Sequence, residues 1–123
     1  MKRRPRRNVR WLATLSSADV PIAGGKNASL GEMLRALGDG GIRVPDGFAT
    51  TAAAYRRLVE ANGLDAVIRD RLESWRSGRD SLEAAGRNIR DRFLAAELPG
   101  DLAADLRAAY RELSSRYGES EVD

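Results

Sequence analysis

Apolar residues recur at helical spacing along most of the chain and at strand spacing only near its start. Leu30, Met33, Leu34 and Leu37 stand at i, i+3, i+4 and i+7 and predict a helix over about 27–37 with one apolar face. Gly38, Gly40 and Gly41 end it. Tyr55, Leu58 and Val59 mark a second helix, about 52–62, with Thr51 as its N-cap and Asn62-Gly63 as its stop. Leu64, Val67, Ile68, Leu72 and Trp75 give a third over about 65–76, broken by Ser77-Gly78. Leu82, Ala85, Ile89 and Phe93 give a fourth, about 81–96, with Asp80 and Glu83 spaced as a capping box. Leu98-Pro99-Gly100 turns the chain into a fifth, about 102–117, with Asp101 as the expected cap. Its stripe is Leu102, Leu106, Ala109, Leu113 and Tyr117, and Gly118 takes the C′ position. These stripes read as core faces rather than as cofactor contacts.

Strand signals are few. Val9, Trp11 and Ala13 share one face of a possible strand at the start, and Phe48-Ala49-Thr50 forms a second. Between the two lies Val44-Pro45-Asp46-Gly47, a turn in which proline presets φ and glycine accepts a positive φ. A single pair of short strands is not stable alone, and no later strand is available to complete a sheet. The expected class is therefore α+β and mostly helical, with about five helices, one or two short strands and an incomplete sheet. The polar stub after Gly118 reads as if a further element were missing.

Composition changes the picture in three places. No run of 18 apolar residues exists, so no membrane span is expected, and no apolar core follows the basic start as a secretory signal requires. Zero cysteines and zero histidines exclude disulfides, thiolate chemistry, imidazole bases, phosphohistidine and most zinc sites. This usage fits a cytoplasmic protein. The third point is charge. Of 21 basic residues, six (Lys2, Arg3, Arg4, Arg6, Arg7 and Arg10) fall within residues 1–10, where there is no acid. Without them 15 basic residues face 18 acidic ones, so the body carries about −3 and only the tail is basic. Residues 1–8 read as a disordered basic tail, and residues 9–123 as one partial domain. No basic and aromatic interleaving recurs in the body to extend a nucleic-acid surface. The arginines of the third and fourth helices alternate with acids and read as solvated faces. No pair of carboxylates suggests acid–base work, so no catalytic residue and no metal ligand is assigned.

The candidate chemistry lies in Ala23-Gly24-Gly25-Lys26-Asn27-Ala28-Ser29-Leu30-Gly31-Glu32-Met33. Gly24 and Gly25 leave the backbone free to turn or to approach a ligand. Lys26 then stands where the first helix begins, at the positive end of its dipole. A cation there costs roughly 0.3–1 kcal/mol, unless an anion lies between it and the free N–H groups, and phosphate is the usual anion in such a place. Lys2 and Lys26 are the only lysines in the arginine-rich chain. A compact ammonium follows a phosphate oxygen as a point charge, which a planar guanidinium does not. The plainer reading is a solvated surface lysine, since the full Gly-x-x-x-x-Gly-Lys-Ser/Thr spacing is absent.

Two stretches in this order, Gly24 to Met33 and Val44-Pro45-Asp46-Gly47-Phe48-Ala49-Thr50-Thr51, resemble the N-terminal region of the phosphoenolpyruvate synthase (pyruvate, water dikinase) family. That family is akin to pyruvate phosphate dikinase and the rifampicin phosphotransferases. Asn62-Gly63-Leu64, Leu98-Pro99 and Ala109-Tyr110 fall where its members have similar residues, so the resemblance runs from about residue 9 to the end. It implies the N-terminal part of an ATP-grasp-like nucleotide-binding domain, in which Lys26 contacts ATP phosphates beside the Gly24-Gly25 backbone. The complete enzymes of this family use ATP and Mg2+ to phosphorylate pyruvate through a histidine on a mobile domain. The arginine-bearing strand, the glycine-rich phosphate loop, the Mg2+ carboxylates and the phosphohistidine that the resemblance implies have no counterpart before Asp123.

Three functions follow as expectations. The first is a partial ATP-binding domain of such a phosphotransferase, binding ATP weakly or not at all and turning over nothing alone, with the remainder of the enzyme as a partner chain. The second is a stand-alone helical binding or regulatory module built on the same scaffold. The third, nucleic-acid binding through the basic tail, is disfavoured, because a plain basic leader accounts for that tail and the body adds no basic surface to it.

Overall fold

The computed structural model describes residues 8–118; the expected tail lies outside them, except Asn8. The chain divides into two units, one of residues 1–55 with 100–123 and one of residues 56–99.

The first unit starts with strand β1 (Val9–Trp11), which pairs antiparallel with β2 (Phe48–Thr50) in the register Val9↔Thr50, Arg10↔Ala49 and Trp11↔Phe48. These are the only strands among the described residues. β1 stops two residues short of the expected Ala13 because its last N–H groups are used elsewhere. Leu12 N–H donates to the Gly47 carbonyl at 2.8 Å and Ala13 N–H to Asp46 Oδ1 at 3.1 Å, which winds Leu12–Thr14 into a 3-10 turn. Asn8 is buried, and its amide donates to Asp105 at 2.9 Å. A second 3-10 turn (Ser17–Asp19) and a four-residue helix α1 (Val20–Ala23) occupy the segment that the polarity of Ser16 to Pro21 suggests is plain connection. Their start is a capping box: the Ser16 hydroxyl accepts from Ala18 N–H, and Asp19 accepts from Ser16 N–H.

Helix α2 (Gly25–Asp39) follows. Its buried positions are Ala28 and Gly31, whereas Met33 is 46% exposed. The face toward the core is thus one of small residues, set on the two 3-10 turns, and the leucine stripe flanks it. A Cβ on Gly31 would sit 2.6 Å from the carbonyl oxygens of both Leu12 and Leu15, and 2.9 Å from Leu15 Cβ. Only glycine allows this approach, and Leu15 is fully buried beneath it. Glu32 then accepts from Ser17 N–H at 2.9 Å, and Arg35 donates to the Ala13 carbonyl at 3.3 Å.

The Pro45-Asp46-Gly47 segment does not form the expected turn, since residues 42–47 are irregular and Gly47 has no positive φ; it acts as a clasp. Asp46 Oδ1 accepts from Ala13 and Gly47 N–H, and its Oδ2 accepts from Arg116 at 3.0 Å. The same guanidinium lies 3.8 Å above the Trp11 ring, whose edge meets Phe48. Arg116 closes helix α6 (Gly100–Arg116), which buries Leu102 and Ala109 as its periodicity predicts and adds Ser114. Tyr117, expected on its buried stripe, lies just past the helix end and is 44% exposed, and Gly118 has φ +70 as expected of a C′ glycine. The helix begins at Gly100, so Asp101 lies within its first turn rather than capping it. Thr51 caps α3 (Ala52–Ala61) through its hydroxyl to Ala54 N–H at 3.2 Å.

The second unit holds α4 (Leu64–Arg76) and α5 (Leu82–Leu94), packed on each other. Leu64 and Ala85 are its most buried apolar residues, while Trp75 and Leu82, both expected in the core, are 41% and 60% exposed. α5 is capped by Ser81, not Asp80: the Ser81 hydroxyl accepts from Ala84 N–H at 3.1 Å, and Asp80 faces Arg71 at 3.9 Å. Asn62 ties the two ends of the unit, exchanging hydrogen bonds with the Glu97 backbone at 2.9 and 3.0 Å.

Candidate functional site

The site belongs to the first unit, where α1 meets α2. The break between them is Gly24, with φ +85 and ψ 160, a conformation that a side chain makes costly. Gly24 N–H still closes α1 on Val20, and the Gly24 carbonyl accepts the first bond of α2, from Ala28 N–H at 3.1 Å. The N–H groups of Gly25, Lys26 and Asn27 are therefore the first of α2, and none has an acceptor among the described residues. No side chain caps this end and its first turn holds no acid. A helix start normally carries a Ser, Thr, Asp or Asn cap, so this one is left to something from outside.

Lys26 stands in this first turn, exposed and with no ion-pair partner among the described residues. A Cβ on Gly24 or Gly25 would meet nothing within 4 Å. The space beside the Gly24 and Gly25 backbone is open.

A contributor that the sequence reading missed is Asn27. Its amide donates back to the Ala23 carbonyl at 2.9 Å. That carbonyl is otherwise an orphan at the end of α1, and a side chain in the first turn of a helix points back toward it. The signal was available, since Asn in a helix start bonds local backbone rather than extending the helix. The eleven-residue motif thus has two halves. Gly24, Gly25 and Lys26 face outward, while Asn27, Ala28, Gly31 and Glu32 bind α2 to the segment before it.

The arrangement offers one ammonium, three first-turn backbone N–H groups and the positive end of a 15-residue helix. Together these suit an oxyanion of phosphate type. They hold no nucleophile and no base. Among the described residues no group of three or more acidic side chains gathers that could hold a metal ion. No helix there is long and apolar enough to cross a membrane.

Comparison with known proteins gives the family of the chain. Residues 20–123 match the family model described as pyruvate phosphate dikinase, AMP/ATP-binding domain. The chain is 38% identical over 116 residues to a phosphoenolpyruvate synthase of Aquifex aeolicus, covering 94% of this chain and 14% of that protein. It is 42% identical over 106 residues to a phosphoenolpyruvate synthase of Deinococcus radiodurans, covering 85% of this chain and 14% of that protein. A probable phosphoenolpyruvate synthase of Methanocaldococcus jannaschii is 43% identical over 115 residues, which is 93% of this chain and 9% of the relative. The chain thus spans about a seventh or less of the length of these relatives. With a match that takes in both α2 and the Asp46 clasp, the chain belongs to the pyruvate phosphate dikinase AMP/ATP-binding domain family.

Proposed function

We propose that this chain forms one edge of an ATP site in a phosphoenolpyruvate synthase-like phosphotransferase, with Lys26 and the Gly24-Gly25 backbone holding phosphate oxygens. The observation that carries the reading is the uncapped start of α2, where three free N–H groups and an unpaired lysine meet open glycines in a chain of an AMP/ATP-binding family. The fit to a nucleotide tail is good in charge, because each added phosphate oxygen offsets a cation at the wrong end of a helix dipole. Asn27 supports the site indirectly by occupying the Ala23 carbonyl, which would otherwise leave an unpaired negative dipole beside the anion.

Transfer of a phosphoryl group needs several cations holding the phosphate oxygens in line. One lysine and three amides bind and orient; they do not complete that set. Mg2+ bound with ATP would neutralise developing charge, and this chain's part is confined to the phosphate oxygens. Alone, the chain then binds ATP weakly and turns over nothing. In the complete enzyme the reaction is ATP-dependent phosphorylation of pyruvate, with the remaining polypeptide as partner, in the cytoplasm, on an ATP-grasp-like domain.

Calorimetric titration of the chain with Mg-ATP tests this reading. Heat fitting a dissociation constant in the millimolar range, and lost in Lys26→Ala, supports it. Micromolar affinity, or binding that survives Lys26→Ala unchanged, overturns it.

A further inference from the structure

A second feature of the first unit lies away from Lys26, on the outer face of α6. Phe48 of β2 and Leu106 of α6 form the floor of a shallow apolar groove enclosing about 350 Å3, bordered by Tyr110, Arg107 and Arg111. Phe48 is fixed there by its edge contact with Trp11, at 5.7 Å between ring centres.

Two arginines flank this apolar floor. They lie four residues apart on one helix face, where like charges repel. The positions three and four away from each hold alanine, serine, tyrosine or the other arginine, never an acid. Within the first unit Arg116 pairs with Asp46 and Glu112, Arg35 with Glu32 and Arg10 with Asp19, whereas Arg43, like the two groove arginines, has no ion-pair partner among the described residues. Arg107 and Arg111 are exposed and have no ion-pair partner among the described residues. In a body that is net acidic, this is a local excess of positive charge beside half-buried apolar surface.

We infer that this groove docks an acidic peptide segment that places one apolar side chain over Phe48 and Leu106 and a carboxylate against each arginine. Charge complementarity selects the occupant. A purely apolar partner would bury two guanidinium groups without relief, and a basic one would add to the repulsion. The long arginine stems extend the apolar floor while their heads reach the carboxylates.

The test is a titration of the full isotope-labelled chain with the amidated peptide Glu-Asp-Phe-Glu-Asp, followed by amide NMR shifts. The expected result is a saturable shift centred on Phe48 and Leu106 to Arg111. It should weaken about tenfold or more in the doubly substituted Arg107→Glu, Arg111→Glu chain, and weaken again as salt rises from about 50 to about 500 mM. The same peptide with serine for phenylalanine should bind more weakly, one with lysines for its acids should not bind, and Lys26→Ala should leave the titration unchanged. Arg107→Gln with Arg111→Gln is a milder second pair should the charge reversal disturb helix α6 by circular dichroism. Absence of shifts at millimolar peptide, shifts centred elsewhere, equal binding of the lysine peptide, or a dimer by sedimentation that the arginine substitutions dissolve would each overturn the proposal.

Discussion

Replacing Gly31 by alanine should unfold the motif from within while leaving its outward half untouched. The new Cβ would lie 2.6 Å from two backbone carbonyl oxygens and 2.9 Å from Leu15 Cβ. None of these is the loose end of a flexible side chain, so α2 must move off the 3-10 turns that support it. Overpacking of a tight contact costs typically 1–3 kcal/mol, and three contacts to fixed atoms place this case near about 3. Alanine returns about 1 kcal/mol through its better helix propensity. The net loss is about 2 kcal/mol, which for a chain of this size lowers the melting temperature by about 8 °C. Gly25→Ala is the internal control. It sits at the first helical position with nothing within 4 Å of its Cβ, so alanine there should be neutral or stabilise by up to about 1 kcal/mol. Thermal and urea unfolding followed by circular dichroism measure both. A Gly31→Ala chain as stable as the parent, or a Gly25→Ala chain as damaged as Gly31→Ala, would refute the division of the motif into a bound half and an open half.

Asp46→Asn should cost about 1–3 kcal/mol by urea unfolding, because the carboxylate that accepts from Ala13 N–H, Gly47 N–H and Arg116 is part-buried and loses its charge. Ser114→Ala should be neutral or stabilising by about 1 kcal/mol in the same assay, since the buried Ser114 hydroxyl has no hydrogen-bond partner among the described residues. Glu32 is held below its ordinary value of 4.5 chiefly by the Ser17 N–H it accepts from, with desolvation opposing and Arg35 adding to the effect. Its stabilising contribution is therefore present above that ordinary value and lost as pH falls through the lower folded one. Glu32→Gln should flatten the stability profile over that acid window, and the two chains should converge below it.

Much of this was legible in the sequence because periodicity and capping are local. α2, α3, α4 and α5 begin and end within two or three residues of where their stripes and glycines place them, and Thr51 and Gly118 do what their chemistry predicts. Side-chain spacing alone misjudged which face is buried. The leucine stripe of α2 looked like its core, yet tertiary packing chose Ala28 and Gly31, because a close helix approach needs small residues and no periodicity scale rewards glycine. Likewise Asp80 and Ser81 are both good caps, and the choice of Ser81 follows from Asp80 turning toward Arg71, nine residues earlier in the chain. The 3-10 turn after Trp11 was not legible, since it depends on Asp46 and Gly47, more than 30 residues away. α1 could have been found: Ser16 and Asp19 have capping-box spacing, and Pro21 is suited to a first helical turn.

For the candidate site the sequence nominates residues but not their geometry. Gly24, Gly25 and Lys26 stood out by type and order. That three first-turn N–H groups find no acceptor among the described residues, and that Asn27 takes up the Ala23 carbonyl, follows only from the α1–α2 break at Gly24.

The most direct measurement is an amide NMR titration of the labelled chain with Mg-ATP, repeated on Lys26→Ala after confirming that its fold is unchanged. The account predicts that the largest shifts fall on Gly24, Gly25, Lys26 and Asn27 at millimolar nucleotide and collapse in the variant. Shifts that centre on another part of the chain, or that persist undiminished without the lysine, would contradict it.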